Sequence, residues 1–253
     1  MPIKSYLPKN LQKCLFGDRE RWGLVPITTD PCWLEWEKTM NSIYENSQQQ
    51  GIGKIVNNSG YKILNTLNLD NKTVLEIGPG NLPHIDFWNG RPKMYWLIDR
   101  REEFLSQAKS KLDAKKIAAN TALLDTEWEI LPVEAGSIDI VVSFYTLEHL
   151  YPLQTYLENI TNVLKPGGLL VGAIPAEGGL AWGLGRYLTT RRWFLKHTKI
   201  DPDKIICWEH PNMANDIIQT LRDMMHEKKI SFWPLKIPMI DFNLTIKFIY
   251  QKK

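Results

Sequence analysis

The sequence predicts an α/β fold: a doubly wound, mostly parallel seven-stranded sheet that ends in an antiparallel hairpin and is preceded by a helical extension. Three observations carry that prediction. Short, continuous apolar runs recur between residues 72 and 175, as strands buried on both faces require. Segments of helical periodicity separate them and give each crossover the length that a parallel neighbour needs. The last two runs, 231–240 and 243–252, are too close for a crossover, so they pair antiparallel.

Taken in order, residues 1–30 are rich in proline, glycine and charge and read as an irregular arm. From Pro31 to about Gln50, Trp33, Trp36, Met40, Ile43 and Tyr44 recur at helical spacing, with Asp30 as cap and Pro31 at the first position. Gly51 and Gly53 interrupt the pattern, and a second helix is expected from Lys54 to Leu67. KTVLEIG (72–78) and MYWLID (94–99) are the first strands, followed by TALLD (121–125), IDIVVSFY (138–145) and GLLVGAIP (168–175). REEFLSQAKSKL (101–112) and PLQTYLENITNVLK (152–165) are amphipathic helices, the second stopped by Pro166-Gly167-Gly168. A helix over 214–227 leads to the hairpin.

Composition excludes several classes of function. With 253 residues, 43% of them hydrophobic and 23% charged, the chain buries a sizeable core. A net charge of +3 is too mild for a nucleic-acid-binding face. Cys14, Cys32 and Cys207 have no C-x-x-C spacing, so neither disulfides nor zinc are expected, and no other trio has metal-ligand spacing. The first residues lack the apolar core of a signal peptide. The least polar stretch, 167–185, is broken by Pro175, Glu177 and glycines, so no spanning helix is expected. A cytoplasmic protein fits this usage best. The ten tryptophans read mainly as core.

The chemistry begins at TVLEIGPGN, residues 73–81. Gly78 and Gly80 let the backbone turn tightly after a buried strand and approach a ligand. Asp99 ends the next strand, where its carboxylate can accept two hydrogen bonds from a ribose diol. A dinucleotide and S-adenosylmethionine (SAM) both carry such a ribose. Three features favour SAM. Pro83 stands where a dinucleotide fingerprint has its third glycine. Glu76 would repel a pyrophosphate but suits the cationic amino group of a methionine moiety. The antiparallel end departs from an all-parallel nicotinamide fold.

These motifs resemble those of class I SAM-dependent methyltransferases of the broad small-molecule group, with a Rossmann-like fold. VLEIGPGN resembles the first motif of that family, LPVEAGSIDIVVSFYTLEHL (131–150) the run through its fourth strand, and LKPGGLLVGAIP (164–175) its helix–turn–strand ending. The resemblance implies a SAM-binding domain over 71–253, an N-terminal arm and helices covering the site over 1–70, and a lid or acceptor insertion at about 176–213. It implies that Glu76, Gly78, Pro79, Gly80 and Asn81 hold the methionine end, Asp99 the ribose, and Arg100 the adenine face. Asp125 and Thr126 fall at the adenine edge, with Glu127 as the alternative acid and Trp128 able to pack on the base. Phe144 and Tyr145 would line the sulfonium side.

Methyl transfer from a sulfonium mainly requires alignment, plus a base where the acceptor must lose a proton. His149, in Leu147-Glu148-His149, reads equally as base or scaffold. Glu209-His210 reads as an orienter–base pair or as a solvated loop. Arg186, Trp193 and Trp208 are the acceptor-side candidates. The run 183–199 reads as a lid holding an anionic acceptor, a membrane-surface helix, an RNA contact, or simply a helix with a solvated basic face. The expected activity is methyl transfer to O or N of a small molecule, such as a sugar or secondary metabolite. The alternatives are a lipid or quinone methyltransferase with peripheral membrane contact, and a SAM-binding regulatory or scaffold protein without catalysis.

Overall fold

The structure, a computed structural model, describes residues 3–48, 51–124 and 131–253. A short 3-10 turn, Ile3–Tyr6, opens into helices α1 (Lys9–Phe16), α2 (Arg19–Trp22), α3 (Pro31–Gln48) and α4 (Gly51–Tyr61). Strands β1 (Thr73–Ile77) and β2 (Met94–Asp99), helix α5 (Glu102–Ala114), and strands β3 (Ala119–Leu123) and β4 (Ile138–Phe144) follow. Helix α6 (Leu153–Val163) leads into β5 (Leu164–Pro175), and α7 (Leu180–Leu188), α8 (Thr190–His197), α9 (Pro202–Glu209) and α10 (Ala214–Met224) lie between β5 and the hairpin of β6 (Met225–Pro234) and β7 (Asn243–Lys252).

The seven strands lie in the order β3-β2-β1-β4-β5-β7-β6. β1 pairs parallel with both β2 and β4, so the direction of winding reverses between β1 and β4. β7 inserts antiparallel between β5 and β6, as the short final connection requires. Alternation along each strand feeds two apolar layers. Leu75, Ile77, Val141 and Leu170 face one way, against Leu157 and Ile160 of α6 and Ile217 and Leu221 of α10. Val74, Tyr95, Leu97 and Val142 face the other, against Leu64, Leu105 and Ala108. The spacing of Leu153, Tyr156, Leu157 and Ile160 on α6 puts all four on one buried stripe. Each fully buried leucine contributes about 2 kcal/mol.

Several boundaries differ from the sequence pattern for identifiable reasons. β6 starts at Met225, not near 231, because His226-Glu227-Lys228-Lys229 lies on the sheet's outer edge, where charge is tolerated on a strand. β5 begins directly after α6, and a register shift opposite Ile138–Ile140 absorbs the Pro-Gly-Gly that reads as a stop. β3 runs from 119 to 123, two residues early. The expected second helix begins at Gly51 and tightens into a 3-10 turn, Lys62–Thr66. The arm is not irregular: Leu15 and Phe16 of α1 are buried with Met213, and a Cβ on Gly183 of α7 would meet the Phe16 ring. A covering layer of α3, α8 and α9 packs around Trp33, Phe194 and Trp208.

Candidate active site

The glycine turn leaves β1 at the point where the winding reverses. Gly78 and Gly80 have φ of +68° and +51°, a region that side chains resist. A Cβ on Gly78 would also collide with the side chain of Thr146, which follows β4. The Gly78 amide donates to the Ile98 carbonyl at 2.8 Å, tying the turn to the end of β2. Lys111 donates to the Asn81 carbonyl at 2.5 Å and anchors the far side of the turn. Asp99 is buried beside it and accepts the Arg101 amide at 3.0 Å. Burial pushes the Asp99 carboxyl up from its ordinary value, against the pull of the Arg101 and Gly80 amides. Arg100 is exposed.

At the end of β4, Phe144 is buried edge-on to Tyr61 with ring centres 5.1 Å apart. Tyr145 has φ of +54°, rare for an aromatic residue, and its hydroxyl is bound to the Val56 and Asn57 carbonyls of α4 at 3.2 and 3.1 Å. Gly78, Gly80, Asp99 and Phe144 thus gather at the carboxyl ends of β1, β2 and β4, with the Tyr145 ring tied to the covering helix. Asp125 and Thr126, with Glu127 and Trp128, lie outside the described residues.

Glu76 departs from its expected place. It is 1% exposed, and both oxygens are engaged inside the protein: one with His84 Nε2 at 2.6 Å, the other with the Tyr95 hydroxyl at 2.8 Å. The Trp88 indole donates to His84 Nδ1 at 3.1 Å, which leaves the proton on Nε2 to donate to Glu76. The carboxylate therefore pins the segment after the turn to the sheet. His84 carries no spacing signal in the sequence.

A second cluster adjoins the turn. Glu209 and His210, adjacent in sequence, do not pair with each other. α9 ends at Glu209 and the chain leaves the helix at His210, so their side chains diverge. Glu209 accepts the Trp36 indole N–H at 2.6 Å, and its carboxylate lies 3.4 Å from His149 Nδ1, which also meets the Glu209 carbonyl at 2.6 Å. His210 Nδ1 instead pairs with Glu177, just beyond β5. The two histidine rings meet edge-on at 4.6 Å, and Trp182 lies 6.3 Å from His210. Arg19 stands 3.6 Å from the second Glu177 oxygen and donates to the His210 carbonyl at 2.5 Å. Burial acts against a charge on His149, but the Glu209 hydrogen bond and the Glu148 and Glu209 charges outweigh it and lift the ring to about 9. Burial likewise opposes ionisation of Glu209, yet His149 and Arg100 draw it down to about 2. Glu148 is buried, which raises its carboxyl, and one of its oxygens has no hydrogen-bond partner. The Arg100 charge at Glu209 links the cluster to Asp99.

Of the acceptor-side candidates named from the sequence, two are buried within the covering layer and one is exposed on it. Arg186 is buried and donates to the Cys14, Leu15 and Pro202 carbonyls and to Asp203, the last two at 2.7 Å. It locks α1, α7 and α9 together and offers no donor to an anionic acceptor. Trp208 is buried edge-on to Trp33 at 6.1 Å, with its N–H on the Trp22 carbonyl at 2.9 Å. Trp193 is exposed on α8, stacked on His197. Glu177 and Trp182 reach His210 and Trp36 reaches Glu209; none of the three was a site candidate by number, although the tail tryptophans, Trp182 among them, read partly as possible pocket lining. Glu177 has a signal in retrospect, because an acid just past a strand's carboxyl end repeats the placement of Asp99 and Glu148. Among the described residues no group of His, Cys, Asp and Glu is arranged to hold a metal ion, and no helix is long and apolar enough to cross a membrane.

Residues 75–172, from β1 into β5, match the family model described as a methyltransferase domain. The fold is shared with a SAM-dependent methyltransferase from Methanosarcina mazei, 19% identical over 75% of this chain and 96% of that one, with a TM-score of 0.51. It is shared with an S-adenosylmethionine-dependent methyltransferase from Mesorhizobium loti, 14% identical over 73% and 92%, at 0.50. The cyclase SpnF has it too, 10% identical over 79% and 80%, at 0.52. At such identities the likeness is one of fold. No curated protein sequence matches the chain.

Proposed function

From the match of residues 75–172 to a methyltransferase domain, we propose that the chain moves the methyl group of SAM to an oxygen or nitrogen of a small-molecule acceptor. The observation that supports this reading is the bare glycine turn at the reversal of strand order with a buried carboxylate, Asp99, at the end of neighbouring β2, together with a histidine–glutamate pair, His210–Glu177, beyond the end of β5. The residues present fit the group. Thr146 keeps Gly78 free of a side chain, so a ligand can lie against its backbone, and Asp99 offers an acceptor for a ribose diol. When bound, SAM supplies a methyl group on a sulfonium, a leaving group already activated.

In this reading Gly78, Pro79, Gly80 and Asn81 position the amino-acid end by backbone contact, Asp99 the ribose and Arg100 the adenine side, with Asp125 and Thr126 assigned to the base edge. Phe144 walls the transfer site, while Tyr145 acts by holding α4 over it. Glu76 acts through His84, as a brace behind the turn. His149 is a cation at neutral pH and serves to hold Glu209, so the base is His210. Its Nδ1–H donates a hydrogen bond to Glu177, which leaves Nε2 to take the proton that an acceptor hydroxyl or ammonium must lose. Residues 71–253 form the cofactor domain in this scheme, and residues 1–70 with the 176–213 insertion close over the acceptor.

The same fold also carries a cyclase, so the test has to read methyl transfer itself. Purified protein incubated with labelled SAM and fractionated metabolites is expected to release S-adenosylhomocysteine and leave label on one acceptor class. SAM binding measured by calorimetry, with no turnover in any fraction, would instead favour a regulatory SAM-binding protein.

A further inference from the structure

Among the described residues, eight of the sixteen large apolar side chains exposed to solvent lie in two segments, 184–195 and 235–242. Leu184 and Leu188 are one helical turn apart on α7, Trp193 and Leu195 lie on α8, and Ile237 and Met239 on the β6–β7 loop; each is between 42% and 56% exposed. The two segments join. Asp241, at the end of the loop, accepts the Leu180 amide that opens α7 at 3.2 Å and the Ile3 amide at 3.0 Å. That aspartate is buried, and residues 178–200 and 228–240 contain no other acid, so these two segments present no carboxylate of their own. Their cations are exposed: Arg192 and Lys196 from α8, Lys199 just past its end, and Lys236 from the loop. Arg186 and Arg191 are held by Asp203 and do not contribute.

We infer that α7, α8 and the β6–β7 loop form a docking face for an anionic lipid surface. Exposed leucine and tryptophan interleaved with lysine and arginine match the boundary between headgroups and acyl chains, where apolar side chains enter and cations meet phosphate. Two copies of the face would set cations against cations, so charge argues against self-association through it. The position adds to the case. Trp182, on the same helix as Leu184 and Leu188, lies against His210, so the face stands one helix away from the histidine pair.

Co-sedimentation with phosphatidylcholine vesicles, with and without phosphatidylglycerol, tests the inference on the intact chain. The protein is expected to sediment with the anionic vesicles only and to be released by raised salt. The double reversal R192E/K196E is expected to weaken binding by roughly 25-fold or more, since each cation near the surface contributes about fivefold. L188S/W193S is expected to weaken it by roughly tenfold through lost apolar insertion. If the serine variant melts early, the charge variant decides alone, because Arg192 and Lys196 are solvent-exposed. No sedimentation of the wild type, or sedimentation that both variants leave unchanged, overturns the inference. So does a wild-type dimer in sedimentation equilibrium that L188S/W193S dissolves, since the face would then belong to a second copy.

Discussion

His149 and Glu209 show how two side chains set each other's charge. His149 is raised from 6.5 to about 9, so its contribution is complete below about 6.5 and is lost as pH rises through about 9. Glu209 is drawn from 4.5 to about 2, so its contribution is present above about 4.5 and is lost as pH falls through about 2. The pair therefore stabilises the covering layer across neutral pH and gives way in alkali. His149 is 37% exposed, and solvent screening limits the pair to about 1 kcal/mol. Glu209→Gln should bring the His149 titration, followed by NMR, back toward 6.5; a ring that still titrates near 9 would mean Glu148 alone holds it. His210 answers a different measurement. His210→Ala should lower kcat by roughly 10²- to 10⁴-fold while SAM affinity, read by calorimetry, stays put. Glu177→Gln should fall between that variant and the wild type, because it removes the orienting charge and keeps the ring.

At the scale of elements, the turn and the covering helices depend on different physics. Gly78→Ala adds a methyl group at a positive φ and against Thr146, so the turn has to shift. The expected cost is about 1–2 kcal/mol in urea unfolding, with a larger loss in SAM binding, since the moved backbone is the proposed binding surface. If SAM affinity survived that shift, the ligand would have to lie elsewhere. Arg186 is the joint of the cover. Arg186→Ala leaves buried carbonyls of α1 and α9 without their donor and Asp203 with Arg191 alone, and should destabilise by about 2–4 kcal/mol. A change below about 1 kcal/mol would show that Arg191 alone can hold Asp203.

Over the whole molecule, the sheet and its cover are distinct layers joined at the site. The arm enters that joint through Arg19, which faces Glu177, and through the Trp22 carbonyl, which accepts from Trp208. Removing residues 3–22 should lower Tm and abolish turnover, while SAM binding by the sheet weakens far less. Equal loss of binding and turnover would mean that the arm closes over the cofactor as well as the acceptor.

The succession of strands and helices and the bare turn were legible because they are local: periods of 2 and 3.6 and a glycine pair are written in neighbouring residues. Asp99 was legible for the same reason, as an acid ending a strand. The edge strand β6 was misread because its charges say nothing of which edge it occupies. The histidine–glutamate pairs were decided only by tertiary structure. Glu177 meets His210 across 33 positions, Glu209 meets His149 across 60, and Trp36 reaches Glu209 across 173. Such contacts form where separate elements pack, and no local pattern encodes which acid a histidine will face. Glu209 and His210 make the point: neighbours in the chain, they part at a helix end, and each finds its partner on another strand's loop.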